Sequence, residues 1–434
     1  MPRVNLKAVI IASLAGLLFG FDTAVISGVT GDLKHVFSLD PQGLGQAVAV
    51  ALVGTFVGAL FGGRLGDAIG GRDALRVVGG MYVLSSIGCA VSPNFMSFIV
   101  FRFVLGLAVG ASSVLAPVYM SEIVPAERRG QLVGLFQFNI VFGILLAYVS
   151  NFAVASLMSG DSVWRWKLGL ASLPALVFFA LLYAIPQSAR WLVAKGRRED
   201  AALSLRRLGV AETESMLDEF AAGDLGGGRL SLKQHGKPIL FAILLAMFNQ
   251  LSGINAILYY LNDIFAAAGF DRVSSDMQAM AVGGANLIAT MVGMSFIDRI
   301  GRKRLLIIGG IGVTAALAGV SVIMATGLGQ ALLLWMLLLF IVSFAFSQGA
   351  VIWVYLSEIF PTPVRSRGQS LGSATHWIMN AVISAVFPVV AAETKALPFV
   401  VFGVCTLASV LIIARFFPET KGVELEAMEA RMGH

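Results

Sequence analysis

Twelve runs of about 20 mostly apolar residues leave this chain few folds to choose from; they centre near residues 18, 55, 83, 108, 142, 177, 251, 287, 315, 343, 382 and 408. That length lets a helix cross the hydrocarbon core, and the runs are too long and too unbroken to be strands. Of 434 residues, 57% are hydrophobic and 13% charged, which fits a polytopic membrane protein and excludes a soluble domain of this size. The predicted class is therefore all-α, with twelve transmembrane helices. The 48 glycines suit close helix packing in lipid. The start, "MPRVNLKAVIIASLAGLLFG", sets Arg3 and Lys7 before an apolar stretch, as a signal peptide does. No small-x-small cleavage site follows, so this stretch is expected to stay as the first span. Cys89 and Cys405 both fall inside spans, which argues against a disulfide framework.

Basic residues set the expected topology. With a cytoplasmic N-terminus, 25 of the 31 Lys and Arg residues fall on the cytoplasmic loops and termini, and five on the outer loops. This asymmetry predicts cytoplasmic N- and C-termini in a multi-pass protein of the cell (inner) membrane. The net charge of +6 is accounted for by topology, so no nucleic-acid partner is expected.

The chain also repeats itself. "YMSEIVPAERRG" (119–130) matches "YLSEIFPTPVRSRG" (355–368), and "GRLGDAIGGR" (63–72) matches "SFIDRIGRKR" (295–304). Two six-span halves in parallel repeat follow, a transporter architecture with substrate bound between repeats. The expected division is an N-terminal bundle over 1–186, a cytoplasmic linker over 187–237, a C-terminal bundle over 238–417 and a cytoplasmic tail over 418–434. Within the linker, "RREDAALSLRRLG" and "AETESMLDEFAAG" read as helices, followed by the glycine-rich break "GDLGGGRL". An enzyme is not expected. The sequence has no Gly-rich phosphate loop, no metal-ligand cluster and no nucleophile–base pair at plausible spacing, and it lacks the nucleotide motifs of an ATP-driven pump.

With these motifs in order, the chain resembles the sugar porter family of the major facilitator superfamily over nearly its whole length. Five stretches carry the resemblance: "GRLGDAIGGR", "RFVLGLAVGASSVLAPVYMSEIVPAERRG", "NQLSGINAILYY", "WVYLSEIFPTPVRSRG" and "PETKG" (418–422). The resemblance implies alternating-access transport of a monosaccharide, with no cofactor beyond a proton as coupling ion, by a chain for which a monomer suffices. It also implies a cytoplasmic gate of inter-helix ion pairs at Asp67, Arg72, Glu122, Arg129, Asp298, Arg299, Arg302, Glu358 and Arg365. Two positions depart from the family pattern. Gly71 stands before Arg72 where a basic pair is usual, and "PQSAR" (186–190) carries Gln187 in place of a glutamate.

A sugar presents hydroxyls that donate and accept, over faces that are partly C–H, so carboxamides, an indole and an N–H donor suit it. Asn249, Gln250 and Asn255 lie in the seventh span, where Ser252-Gly253 is expected to loosen the helix, and Tyr259 is one turn beyond Asn255. Gln137 lies in the fifth span, Asn286 in the eighth, Trp353 in the tenth and His376 in the eleventh. Lone Asn or Gln residues in a bundle also serve inter-helix hydrogen bonds. By resemblance, Gln137, Gln250, Asn255, Asn286 and Trp353 fall on sugar-binding positions, and Tyr259 on a tyrosine capping the site from outside. Asn249 replaces the first glutamine of the helix motif, and His376 stands where many members have Gln or Asn.

One charge remains inside the first span, Asp22 in "AVIIASLAGLLFGFDTAVISG". At 1.5 Å per residue it stands ~21 Å up that helix, and Arg102 lies ~10 Å below the outer boundary of the fourth. In a core about 30 Å thick both reach the outer third, where pairing is the usual answer to buried charge. A permanent clamp between two helices and a proton switch both fit. In the switch, separating the arginine leaves a desolvated acid that takes up a proton. The resemblance favours the switch, because bacterial proton symporters of the family carry aspartate here and animal facilitative carriers a neutral residue. One bacterial symporter of the family also has a glutamate in the sixth span; "LGLASLPALVF" has none, so coupling would rest on Asp22 and Arg102 alone. A passive sugar uniporter, or a non-transporting sugar sensor of the same fold, is the alternative.

Overall fold

In the computed structural model the described residues are 5–124, 129–209, 216–218, 220, 230–361 and 364–421, without the side chains of 129–133, 365 and 366. The expected gate side chains Arg129 and Arg365 lie outside this description, as do residues 422–434 and most of the second expected linker helix. Among the described residues, twelve helices have the length and composition to cross a membrane. They are α1 (Leu6–Gly28), α2 (Pro41–Ile69), α3 (Gly71–Val91), α4 (Phe95–Ile123), α5 (Gly134–Leu157) and α6 (Val163–Ala184), then α7 (Leu232–Tyr259), α8 (Arg272–Ile300), α9 (Arg302–Thr326), α10 (Gln330–Glu358), α11 (Arg367–Glu393) and α12 (Leu397–Phe416).

The chain forms two units, Met1–Phe37 with Val50–Leu225, and Ser38–Ala49 with Gly226–His434. The start of α2 thus groups with the second unit, where a Cβ on Gly45 would overlap the Ala385 carbonyl. In the first unit α1 runs along α5 and α3 along α4; in the second, α7 runs along α11 and α9 along α10. These pairings shift by six helices, as a parallel repeat requires. Close approach depends on missing side chains: a Cβ on Gly20 of α1 would overlap the Ile140 carbonyl of α5. Each unit buries its own apolar core, one around Leu75, Tyr82, Leu115 and Phe178, the other around Leu245, Leu306, Val351 and Phe360.

Helix α7 is broken where the sequence leads one to expect it. An α-helix ends at Leu251, Gly253 adopts φ +81°, and a second helix runs Ile254–Tyr259. The left-handed backbone and the Phe402 ring beside it both exclude a side chain at 253. Helix α10 carries a π-turn at Ala345–Gly349, ahead of the segment that holds Trp353.

Two linker helices are described, Ala189–Ala194 and Arg198–Leu208. The second is amphipathic, burying Ala201, Ser204, Leu205 and Leu208 at i, i+3, i+4 and i+7. Glu199 and Asp200 in its first turn and Arg206 and Arg207 in its last complement the helix dipole, and Gly209 (φ 75°) ends it in the left-handed conformation. Leu192, Val193 and Leu205 join these helices in a small core of their own.

Candidate functional site

Within the first unit, α1 and α4 bring the intramembrane acid and base together. Arg102 Nη1 donates to Asp22 Oδ1 at 2.5 Å, with side chains 3% and 13% exposed. The contact is 80 residues long-range and agrees with the shared depth expected from helix rise. The contact is a charge-assisted bond between two nearly dry partners, and it ties α1 to α4. Gln137 lies half-buried on α5 and makes no hydrogen bond among the described residues, whereas Asn139, two positions on, donates to Ser13 of α1 at 2.9 Å.

In the second unit the broken α7 and α11 build a polar cluster. Asn255 Nδ2 donates to Gln250 Oε1 at 3.2 Å, and Gln250 Nε2 donates to Asn249 Oδ1 at 3.2 Å. The same Nε2 lies 3.2 Å from Nδ1 and 3.1 Å from Nε2 of His376, a contact that needs an unprotonated ring nitrogen. The Trp353 indole lies 5.2 Å from the His376 ring, centroid to centroid, and keeps 38% of its surface exposed, while Gln250 and His376 are buried. An exposed indole beside buried, interlinked carboxamides offers a stacking face and a donor–acceptor wall. Asn286 is buried on α8 and makes no hydrogen bond to this cluster.

Tyr259 leads to a residue that sequence reasoning missed. Asn380 donates to the Tyr259 hydroxyl at 3.3 Å and accepts from Ser384 at 3.1 Å, extending the cluster along α11. The available signal was spacing: Asn380 is one turn from His376 and shares its face.

At the helix ends that carry the basic loops, the expected gate residues form contacts within each half. Arg302 donates to Glu358 through Nε (3.0 Å) and Nη2 (2.7 Å), and through Nη1 to Asp298 at 2.8 Å. Thr420 donates to the same Glu358 at 2.6 Å. Glu419 of "PETKG" accepts from the backbone N–H groups of Arg302, Lys303, Thr420 and Lys421 at 2.9–3.1 Å. Arg299 is not drawn into this ion-pair cluster; its carbonyl accepts from Lys421 Nζ, and its guanidinium lies over Phe296.

The first half repeats the backbone of this arrangement without its central ion pair. Gly70 (φ 88°) and Gly301 (φ 97°) make the same turn before α3 and α9. Tyr119 donates to the Pro186 carbonyl at 2.6 Å as Tyr355 donates to that of Pro418 at 3.0 Å. Gln187 therefore corresponds to Glu419, and Gly71 to Arg302. Without an arginine at 71, Glu122 lies beside Ser188 and Arg190 instead. Arg72 pairs with its neighbour Asp73 at 3.0 Å, not with Glu122, and the Asp67 carbonyl accepts from the Trp191 indole. Gln187 Oε1 accepts from Arg72 N–H at 3.0 Å and its Nε2 donates to Asp73 at 3.2 Å.

Comparison with known proteins agrees with this architecture. A family model described as "Sugar (and other) transporter" matches residues 8–431. The D-xylose-proton symporter of Escherichia coli (strain K12) is 34% identical over 469 aligned residues, covering 97% of this chain and 94% of its own. The major myo-inositol transporter IolT of Bacillus subtilis (strain 168) is 35% identical, covering 97% of this chain and 93% of its own. Among solved structures, the inward-open xylose transporter XylE from E. coli superposes with a TM-score of 0.88 at 32% identity, over 98% of both chains. The chain belongs to the sugar transporter family of the major facilitator superfamily.

Proposed function

We propose that this sugar transporter moves a monosaccharide by proton symport, with Asp22 as the proton acceptor and Arg102 as the partner that controls it. The observation that carries the reading is the 2.5 Å contact between two nearly buried charges within one bundle. An acid so placed is either paired or protonated; uptake of a proton is the alternative to pairing, and a helix shift that parts the two exchanges one state for the other. Coupling is assigned to Asp22 and Arg102, since the sixth-span stretch "LGLASLPALVF" carries no glutamate. Substrate recognition falls to Gln250, Asn255, Trp353 and His376, with Asn249, Tyr259, Asn286 and Gln137 contributing. His376 is assigned to the sugar and not the proton, because it packs against Gln250 and the Trp353 indole. The bias of Lys and Arg supports cytoplasmic termini in the inner membrane. No cofactor is invoked, and a single chain in the bilayer suffices.

The test is Asp22→Asn in proteoliposomes. Uphill accumulation driven by a pH gradient should vanish while exchange of sugar down its gradient persists. Accumulation undiminished in the variant would refute the coupling role and leave Asp22 as a clamp on α4.

A further inference from the structure

The two halves meet the same junction with different charge. In the second half the chain itself supplies an anion, the Glu419 carboxylate, to four backbone N–H groups. In the first half the corresponding side chain is the Gln187 amide, which fills the same hydrogen-bonding place and brings no charge. Beside it opens a cleft of about 140 Å³, between the start of α3 and the linker helices, into which Arg72, Arg197 and Arg207 face. Two aspartates share the wall, and each is engaged: Asp73 by Arg72 and Arg76 (3.0 and 2.8 Å), Asp200 by Arg197 at 2.8 Å. Arg207 differs. Its guanidinium has no hydrogen bond or ion pair among the described residues, and only its backbone carbonyl is used, by Asn5 at 3.0 Å. The lining therefore carries an excess of positive charge with one guanidinium uncommitted.

We propose that this cleft binds a phosphate monoester, with Arg207 as its principal contact and Arg197 and Arg72 completing the anion's surroundings. Arg207 presents a planar fork of donors that matches phosphate oxygens, and Arg72 and Arg197 add positive charge and the N–H groups that Asp73 and Asp200 leave unused. Trp191 and Leu203, on the same wall, give the carbon skeleton an apolar seat. The size excludes a whole nucleotide, since pockets for ligands of that bulk run to roughly 300–1,000 Å³. Bound there, the ligand ties Arg198–Leu208 of the linker to the first turn of α3, a bond that the second half builds from its own carboxylate. The proposal rests on the proposed function only in taking the ligand from the cytoplasmic side. The phosphate can come from a soluble sugar phosphate or from a lipid headgroup.

The test titrates the purified full-length protein in detergent with glucose 6-phosphate and, separately, with short-chain phosphatidic acid, read by calorimetry. Saturable binding of either is expected, and which one binds identifies the source. Arg207→Ala should weaken it at least tenfold, Arg207→Lys should restore part of the loss, and Gln187→Glu should weaken it by returning the missing charge. Binding of labelled monosaccharide to the same preparations reports that each variant is folded. No binding of either phosphate compound to the wild type, or equal affinity in Arg207→Ala, would overturn the proposal. Phosphate binding that persists where no sugar binds would overturn the transport reading and leave this one standing.

Discussion

Glu358→Ala should destabilise the second bundle far more than Glu122→Ala destabilises the first, although the two glutamates hold equivalent places in the repeat. The Arg302 side chain is 9% exposed, and Glu358 meets it through two charge-assisted bonds. Removing one partner of a buried pair costs about 3–5 kcal/mol, because the other charge is left without compensation. Two features lower that figure. The Glu358 side chain is 25% exposed, and Arg302 keeps Asp298, whose side chain is 82% exposed. An ion pair to so exposed a carboxylate returns no more than about 1 kcal/mol, so the net loss should be about 2–4 kcal/mol. Glu122 has Gly71 and no arginine at the position equivalent to Arg302 and is supported by Ser188 and the exposed Arg190, so its loss should cost under about 1 kcal/mol. Equilibrium unfolding in mixed micelles titrated with a denaturing detergent measures both. The double variant Arg302→Met/Glu358→Leu should recover most of the loss, since an apolar pair leaves no stranded charge. Equal costs for the two glutamates, or a double variant as unstable as the sum of its singles, would refute the reasoning.

Gly253→Ala should disable the polar cluster, because a Cβ there meets the Phe402 ring and the backbone sits at φ +81°; left-handed strain alone costs roughly 1–2 kcal/mol, and equilibrium dialysis with labelled sugar should show binding lost while the protein still extracts as a folded monomer. His376→Asn should shift the ratio of hexose to pentose kcat/KM by about tenfold in one direction, the effect of one buried hydrogen bond won or lost; a competition panel against one labelled sugar reads it. Asn380→Ala removes the donor to the Tyr259 hydroxyl and the acceptor for Ser384, and sugar affinity should fall about five- to tenfold, measured by quenching of tryptophan fluorescence.

The twelve spans were legible because hydropathy is a local property, and each window reports on itself alone. The Asp22–Arg102 contact was legible for a different reason: helix rise converts sequence position into depth, and few charges compete at that depth. The break of α7 could be read from Ser252-Gly253, since glycine tolerates the left-handed backbone found there. Asn380 was not read, because one asparagine in an apolar span looks the same whether it lines a site or bonds a neighbouring helix. The equivalence of Gln187 with Glu419 was also hidden. "PQSAR" and "PETKG" share only their proline, and what relates them is a tyrosine hydroxyl reaching that proline's carbonyl from more than 60 residues away.

That equivalence makes a single change of what look like separate departures. In the second half, Arg302 needs Glu358 to neutralise it, and Glu419 caps the helix that Arg302 begins. Replace the arginine by glycine, as at 71, and the buried ion pair is gone. A capping carboxylate at 187 would then face Glu122 and Asp73 with no buried cation between them. The amide answers that difficulty, because it accepts from the Arg72 N–H as a carboxylate does while its own nitrogen donates to Asp73 and to the Ile69 carbonyl. Asp73 in turn is acceptable only because Arg72 and Arg76 flank it. Restoring one member alone should therefore harm the junction: Gln187→Glu puts two carboxylates in contact at Asp73. Gly71→Arg would supply the compensating charge, yet it must displace the Tyr119 ring, which lies 3.3 Å from where its Cβ would be. The first half has settled into a self-consistent arrangement held by hydrogen bonds, where its twin is held by a buried ion pair.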